Sequence, residues 1–125
     1  MSFDCPFCEL LPAEWLASSE SAVAFFDRYP ISPQHTLVIP RRHVASLFEL
    51  SEAELADVLL LVATVRRHLI ATTDACEFNI GVNDGVAAGQ TVMHAHIHVI
   101  PRRKGDVEDP RGGIRWVIPE KARYW

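Results

Sequence analysis

The sequence has no run of eighteen or more apolar residues, so no segment reaches the length that a membrane-spanning helix needs. Its start, MSFDCPFCELL, lacks the basic-then-apolar pattern of an export signal. A soluble, cytoplasmic protein with no membrane partner is therefore expected. Positive charge is also short: twelve Lys and Arg stand against sixteen Asp and Glu, for a formal net charge of -4. That balance argues against a nucleic-acid partner, and any phosphate the chain binds must be held locally. Three cysteines are too few for a disulfide framework. Cys5 and Cys8, two residues apart, fit a reducing compartment in which such a pair is a metal or redox device, and Cys76 reads as a plain buried thiol. Internal repeats, low-complexity tracts and linkers are missing too. At 125 residues, 49% hydrophobic and 22% charged, residues 1–125 read as one domain with a real core.

What is present falls into short elements parted by turn residues. Ser21 to Phe26 and His35 to Ile39 read as strands, the second closed by Pro40. Residues 27–34, with two prolines, connect them. At Ser51 the period changes: Ser51 and Glu54 have the form of a capping box, and Leu55, Val58, Leu59, Val62, Val65 and Leu69 follow at helical steps to about residue 70. Glu77 to Val82 is a further strand, leading through a turn-rich loop (83–90) into a strand from His94 to Pro101. The fold class is α+β, a mainly antiparallel sheet with one long helix packed on it.

The last strand carries His94, His96 and His98 on alternate positions, so all three face one side while Ala95, Ile97 and Val99 face the other. A polar solvent face could explain one such histidine, but three in alternation point to a site. A single ion bound by all three is excluded by reach. Residues i and i+4 of a strand lie roughly 13 Å apart, too far for bonds of about 2 Å from one metal. At most two neighbours in the row can share an ion.

Cys5-Pro6-Phe7-Cys8 reads either as a redox dithiol or as half of a tetrahedral zinc site. A redox pair belongs at a helix start behind a first strand, and nothing strand-like precedes residue 5, which favours zinc. Two imidazoles are then needed, and His43 and His94 are candidates. The spacing is not that of a zinc finger, and His43 also reads as a surface residue beside Arg41 and Arg42.

The segment His94-Ala95-His96-Ile97-His98-Val99-Ile100-Pro101 resembles the His-x-His-x-His signature of the histidine-triad (HIT) family of nucleotide-binding and nucleotide-hydrolysing proteins. Its context strengthens the resemblance: Gly89-Gln90-Thr91-Val92 before it, the strand His35-Thr36-Leu37-Val38-Ile39-Pro40, and Phe26-Asp27 ahead of His35. The likeness covers roughly residues 5 to 105 and leaves residues 106–125 as a C-terminal extension. It implies a HIT-like fold and turnover of nucleoside 5′-phosphates that carry a leaving group on the α-phosphorus, such as dinucleoside polyphosphates or phosphoramidates. By resemblance His96 is the nucleophile, oriented by the backbone carbonyl of His94, and a nucleotidyl-histidine forms and is then hydrolysed. His98 bonds phosphate oxygens or the leaving group, and His35 lines the same site. Asn83, Gly89, Gln90 and Thr91 are implied around the α-phosphate, and Asp27 on the ribose hydroxyls. Phe7, Phe25 and Leu37 are implied near the base.

The resemblance also assigns Cys5, Cys8, His43 and His94 to a structural zinc whose closed tetrahedron leaves no position for catalytic water, and it implies a homodimer. Two features disagree over substrate. Asn83 matches the phosphoramidase branch, where the polyphosphate branch has glutamine. Residues 101–106, PRRKGD, look more like the polyphosphate branch, and read either as a neutraliser of extra phosphates or as a solvated turn. The stretch Asp109 to Pro119 is expected to add a strand near the site or across a subunit boundary. Phosphorolysis by a dinucleoside polyphosphate phosphorylase, and a non-catalytic nucleotide-binding interaction module, are the alternative functions.

Overall fold

In the computed structural model, which describes residues 4–125, five strands form one antiparallel sheet. They are β1 (Ala17–Ser18), β2 (Ala22–Phe26), β3 (Thr36–Pro40), β4 (Glu77–Val82) and β5 (Ile97–Arg102), in the spatial order β1-β2-β3-β5-β4. One helix, α1 (Glu52–Thr72), connects β3 to β4. Its start is the expected capping box: Glu54 N–H donates to Ser51 Oγ at 3.1 Å, and Ser51 N–H donates to the Glu54 carboxylate at 3.0 Å. Of the expected stripe, Val58, Val62, Val65 and Leu69 lie buried, joined by Leu61 while Leu59 is exposed, on one face of the sheet against Ala22, Ala24, Val38, Ala95, Ile97 and Val99.

The opposite face has its own smaller cluster. Val23, Phe25, Leu37 and Ile39 are buried there, with Phe7, Leu10 and Trp15 of the amino-terminal segment laid over them. The register puts Phe25 opposite Leu37, Leu37 opposite His98, and His98 opposite Gly81. The row Phe25, Leu37, His98, Gly81 therefore crosses this second face, apolar at one end and without a side chain at the other.

Three expectations change. The ladder of β5 begins at Ile97 rather than His94. Pro40 has no N–H to offer the incoming chain, and its carbonyl accepts from His94 Nε2 at 2.8 Å, so residues 94–96 do not continue the pairing with β3. Ala95 N–H turns instead to the Val44 carbonyl at 2.7 Å. Second, the tail adds no strand. It coils into 3₁₀ turns at Gly113–Val117 and Pro119–Lys121, with the first against β4. The Arg115 guanidinium donates to the Lys121 and Ala122 carbonyls, and Trp116 Nε1 donates to the Arg111 carbonyl. Gly112 permits that coil at φ +91°, where a Cβ would come within 3.3 Å of the Ala122 carbonyl. Third, Cys76 is exposed, because the turn between α1 and β4 sends only its neighbour Ala75 into the core.

Candidate active site and metal centre

His94, His96 and His98 share the second face of the sheet, as alternation requires, but their rings are held in three different ways. His94 is 1% exposed and donates Nε2–H to Pro40, which leaves Nδ1 as a bare lone pair. That nitrogen points at Cys5 Sγ (3.5 Å) and Cys8 Sγ (3.6 Å), and His43 Nδ1 lies 3.3 Å from Cys8 Sγ. All four ligand atoms of Cys5, Cys8, His43 and His94 fall within 4.8 Å of one another. A tetrahedral ion with metal–sulfur bonds of about 2.3 Å and metal–nitrogen bonds of about 2.0 Å separates sulfur from nitrogen by about 3.5 Å. The four donors fit a metal on this ground. Burial first, and then the Cys5 sulfur, push the Cys8 thiol up from its ordinary value, a cost that a divalent cation between the sulfurs reverses. The Pro40 carbonyl is the outer partner that fixes the His94 ring.

His96 is oriented the other way round. Its Nδ1–H donates to the His94 carbonyl at 2.8 Å, so Nε2 carries the free lone pair. The edge of Phe7 closes on this ring, with centroids 5.2 Å apart, and the ring of His98 stands at 5.2 Å on the other side. Phe25 and Leu37 are buried, and Phe7 packs on Phe25 at 5.3 Å.

His98 takes its proton position from a chain of contacts. Ile31 N–H donates to His35 Nδ1 at 3.2 Å, so the proton of a neutral His35 sits on Nε2. His35 Nε2 lies 2.9 Å from His98 Nδ1, which must then accept, leaving His98 with its proton on Nε2. Asp27 Oδ2 lies 3.5 Å from the same His35 nitrogen. Asp27, His35 and His98 bring three ligand-type atoms together, yet the His35 atom turned toward the other two carries the proton, which speaks against a second metal there. Burial, then His96 and His35, lower His98 to about 4, with Asp27 opposing. Burial lowers His35 as well.

A depressed imidazole value means that the unfolded chain binds protons first as the pH falls. Stability is therefore expected to be full above pH 6.5 and to fall between 6.5 and about 4, the ordinary and the folded values of His98. The midpoint of urea denaturation across that range is the measurement, and a constant midpoint from pH 7 to pH 5 would contradict the assignment.

Beside His98 the bare backbone of Gly81 opens a cleft of about 850 Å³, lined at one end by Asp27, His35, Asn83 and His98 and roofed by Ile114 and Trp116 of the tail. The loop before the histidine row is built largely by Gln90. Its amide donates to the Ala45 and Val92 carbonyls and accepts from Gly85 N–H. Gln90 is 5% exposed, and the N–H groups of Gly89 and Gln90 bond within the loop. No donor remains on the Gln90 side chain for a phosphate. Thr91 is exposed beyond it, and Gly89 supplies the left-handed turn at φ +97°. Arg102, which ends β5, and Arg103 after it read in the sequence only as a basic cluster. Arg102 is held by Asp106 at 2.7 Å through two nitrogens, and Arg103 pairs with Asp74 at 3.0 Å.

Fold and site together define a small α+β protein with a histidine row, in which one ring is turned to a thiol pair and another is open at one nitrogen. The chain belongs to the HIT family: the profile described as "HIT domain" matches residues 10–105. The bis(5'-nucleosyl)-tetraphosphatase [asymmetrical] of Schizosaccharomyces pombe is 44% identical over 88 residues, 70% of this chain and 48% of that protein. Adenosine 5'-monophosphoramidase hnt1 of the same yeast is 37% identical over 127 residues, 95% of this chain and 90% of that one. A zinc-bound histidine triad family protein from Mycobacterium smegmatis superposes with a TM-score of 0.76 at 34% identity, covering 85% of this chain and 80% of that chain. The chain spans only about half the length of some curated relatives, 48% of the tetraphosphatase and 54% of an adenylylsulfatase, HINT3, from Arabidopsis thaliana.

Proposed function

We propose that the protein is a nucleotide hydrolase or transferase acting at the α-phosphate of adenosine-type nucleotides through a nucleotidyl-His96 intermediate. The observation that carries this reading is the His96 ring, pinned at Nδ1 by the His94 carbonyl with Nε2 free beside His98. Relatives named as a tetraphosphatase and a phosphoramidase support the substrate class.

In the first step His96 Nε2 attacks phosphorus, forming P–N as the bond to the leaving group breaks, while Nδ1–H stays on the His94 carbonyl. A phosphate leaving group departs as an anion, hydrogen-bonded by His98 Nε2–H. An amine needs a proton. His98 Nε2–H supplies it as His35 Nε2–H moves toward His98 Nδ1, and the positive charge forming on His96 offsets the charge left on the His35–His98 pair. Water then attacks phosphorus, the P–N bond breaks, and the water's proton restores the His35–His98 pair. Phosphate in place of water gives phosphorolysis.

Asp27 at the cleft mouth is assigned to the ribose hydroxyls, and Asn83 and Thr91 to the α-phosphate, with Gly89 and Gln90 shaping the loop that presents Thr91. Cys5, Cys8, His43 and His94 are assigned to a structural zinc. With four protein ligands it supplies no Lewis-acid chemistry and braces the chain entering β5. Residues 106–125 are read as an extension of the single domain that roofs the cleft. A homodimer is supported by exposed Leu59 and Leu60 on α1 and Ile80 on the edge strand β4. No helix among the described residues is long and apolar enough to cross a membrane, and the free thiols suit the cytoplasm.

The test is incubation with an adenosine phosphoramidate and with an adenosine dinucleotide polyphosphate, reading AMP release. Both are expected to yield AMP, and an added phosphate acceptor that diverts AMP to ADP would show phosphorolysis. His35→Asn is expected to lower kcat by roughly 10–100-fold, because His98 loses the partner that fixes its proton. Turnover of neither substrate would leave only a binding module.

A further inference from the structure

Among the described non-glycine residues, only Gln34 has a positive φ, +64°, and it immediately precedes His35. A left-handed glutamine brings its Cβ close to the following carbonyl and is disfavoured, so something must hold it. Part of the hold is local: His35 N–H donates to the Ser32 carbonyl at 3.1 Å, and Thr36 Oγ1 donates to the Gln34 carbonyl at 2.8 Å. The rest comes from far along the chain. Arg103, one residue past the end of β5, reaches back across the sheet end. Its guanidinium donates to Gln34 Oε1 at 3.0 Å, to the Pro33 carbonyl at 3.4 Å and to Asp74 in the turn after α1 at 3.0 Å. A planar fork with three separate acceptors is a use that lysine cannot reproduce.

We infer that Arg103 is a positioning residue: it clamps the strained turn at Pro33 and Gln34 so that His35 stays between the Ile31 amide and His98. The same residues 31–35 carry both the amide that sets the His35 proton and the ring that passes this choice to His98. Loosening the turn therefore frees two contacts at once. This reading gives Arg103 a use other than neutralising extra phosphates, since each of its three nitrogens already donates to a protein acceptor.

The inference rests on the proposed chemistry only for its kinetic arm. Ring-nitrogen NMR of the full chain reads the other arm without turnover. Wild type is expected to show His35 as the Nε2–H form, and Arg103→Ala a mixture of both forms. In kinetics, Arg103→Ala is expected to lower kcat about tenfold for an adenosine phosphoramidate, whose amine draws on the His35–His98 relay, and less for an adenosine dinucleotide polyphosphate, with KM changed less than about twofold for both. Gln34→Gly removes the strain at positive φ. Added to Arg103→Ala, it is expected to recover most of the lost kcat and the Nε2–H form. The inference is overturned if Arg103→Ala leaves the His35 proton in place. It is equally overturned if the loss appears in KM and grows with the number of phosphates, or if Gln34→Gly rescues nothing. If wild type turns over neither substrate, the NMR arm still decides the positioning, and the functional reading alone fails.

Discussion

His96→Ala is expected to reduce AMP release from both substrate classes by at least about 10³-fold, the scale on which removal of a covalent nucleophile acts. The residual rate should not respond to a further His98→Ala change, since residues that act as one unit are not additive. The magnitude follows from geometry. His96 alone in the row combines a nitrogen fixed by a main-chain acceptor with an uncommitted second nitrogen, whereas His94 has its free nitrogen against the two sulfurs and His98 has its Nδ1 against His35. The His96 ring is 8% exposed and packs on Phe7, so alanine also leaves a small gap. A thermal midpoint lowered by a few degrees, roughly the effect of 1 kcal/mol, separates that packing loss from the loss of chemistry. A variant that keeps a tenth of the wild-type rate would refute His96 as nucleophile.

Removing the proposed zinc is expected to have the largest effect on stability. Cys5 and His94 are buried, 5% and 1% exposed, and His94 follows the loop and opens the segment that carries His96. At free zinc about a thousand times its dissociation constant, linkage supplies about 4 kcal/mol. For a chain of this size that corresponds to a fall in Tm of roughly 10–15 °C. Chelation of wild type and the Cys5→Ser variant should converge on the same lowered Tm, and zinc should restore only the chelated wild type. Equal Tm with and without chelator, in protein shown to contain one zinc per chain, would contradict a structural role. Activity is expected to fall with unfolding and not before it, because a zinc held by Cys5, Cys8, His43 and His94 would have no position open to substrate or water.

Much of this arrangement was legible in local sequence. The capping box of Ser51 and Glu54 sets the helix start, and alternation along residues 94–99 separates the helix-facing residues from the imidazoles. Cys5, Cys8, His43 and His94 converge as the family resemblance implied, although the second cysteine and the last histidine stand 86 positions apart. What escaped depends on partners distant in sequence. The early end of the β5 ladder follows from Pro40 on the facing strand, which no reading of residues 94–101 alone contains. Gln90 looks like a phosphate donor from its motif, yet Ala45 takes one of its protons and Val92 the other. Gly81 lies unremarked within the strand Glu77 to Val82, and its meaning as the open floor of a cleft depends on the register that sets it opposite His98. Ile114, Trp116, Val117 and Ile118 would suit the strand expected over Asp109 to Pro119. Gly112 and Gly113, both at positive φ, turn it into a coil. Arg102 and Arg103 read as free charge until Asp106, Asp74 and Gln34 are found against them.

The most direct measurement of the central claim is rapid quenching of a single turnover of an adenosine phosphoramidate, followed by peptide mapping of the chain. A nucleotidyl group is predicted on His96 alone, formed with release of the amine and lost as AMP appears. Release of AMP together with the amine, with no adduct on His96 at any quench time and wild-type kinetics retained in His96→Ala, would show that water attacks phosphorus directly and that the covalent account is wrong.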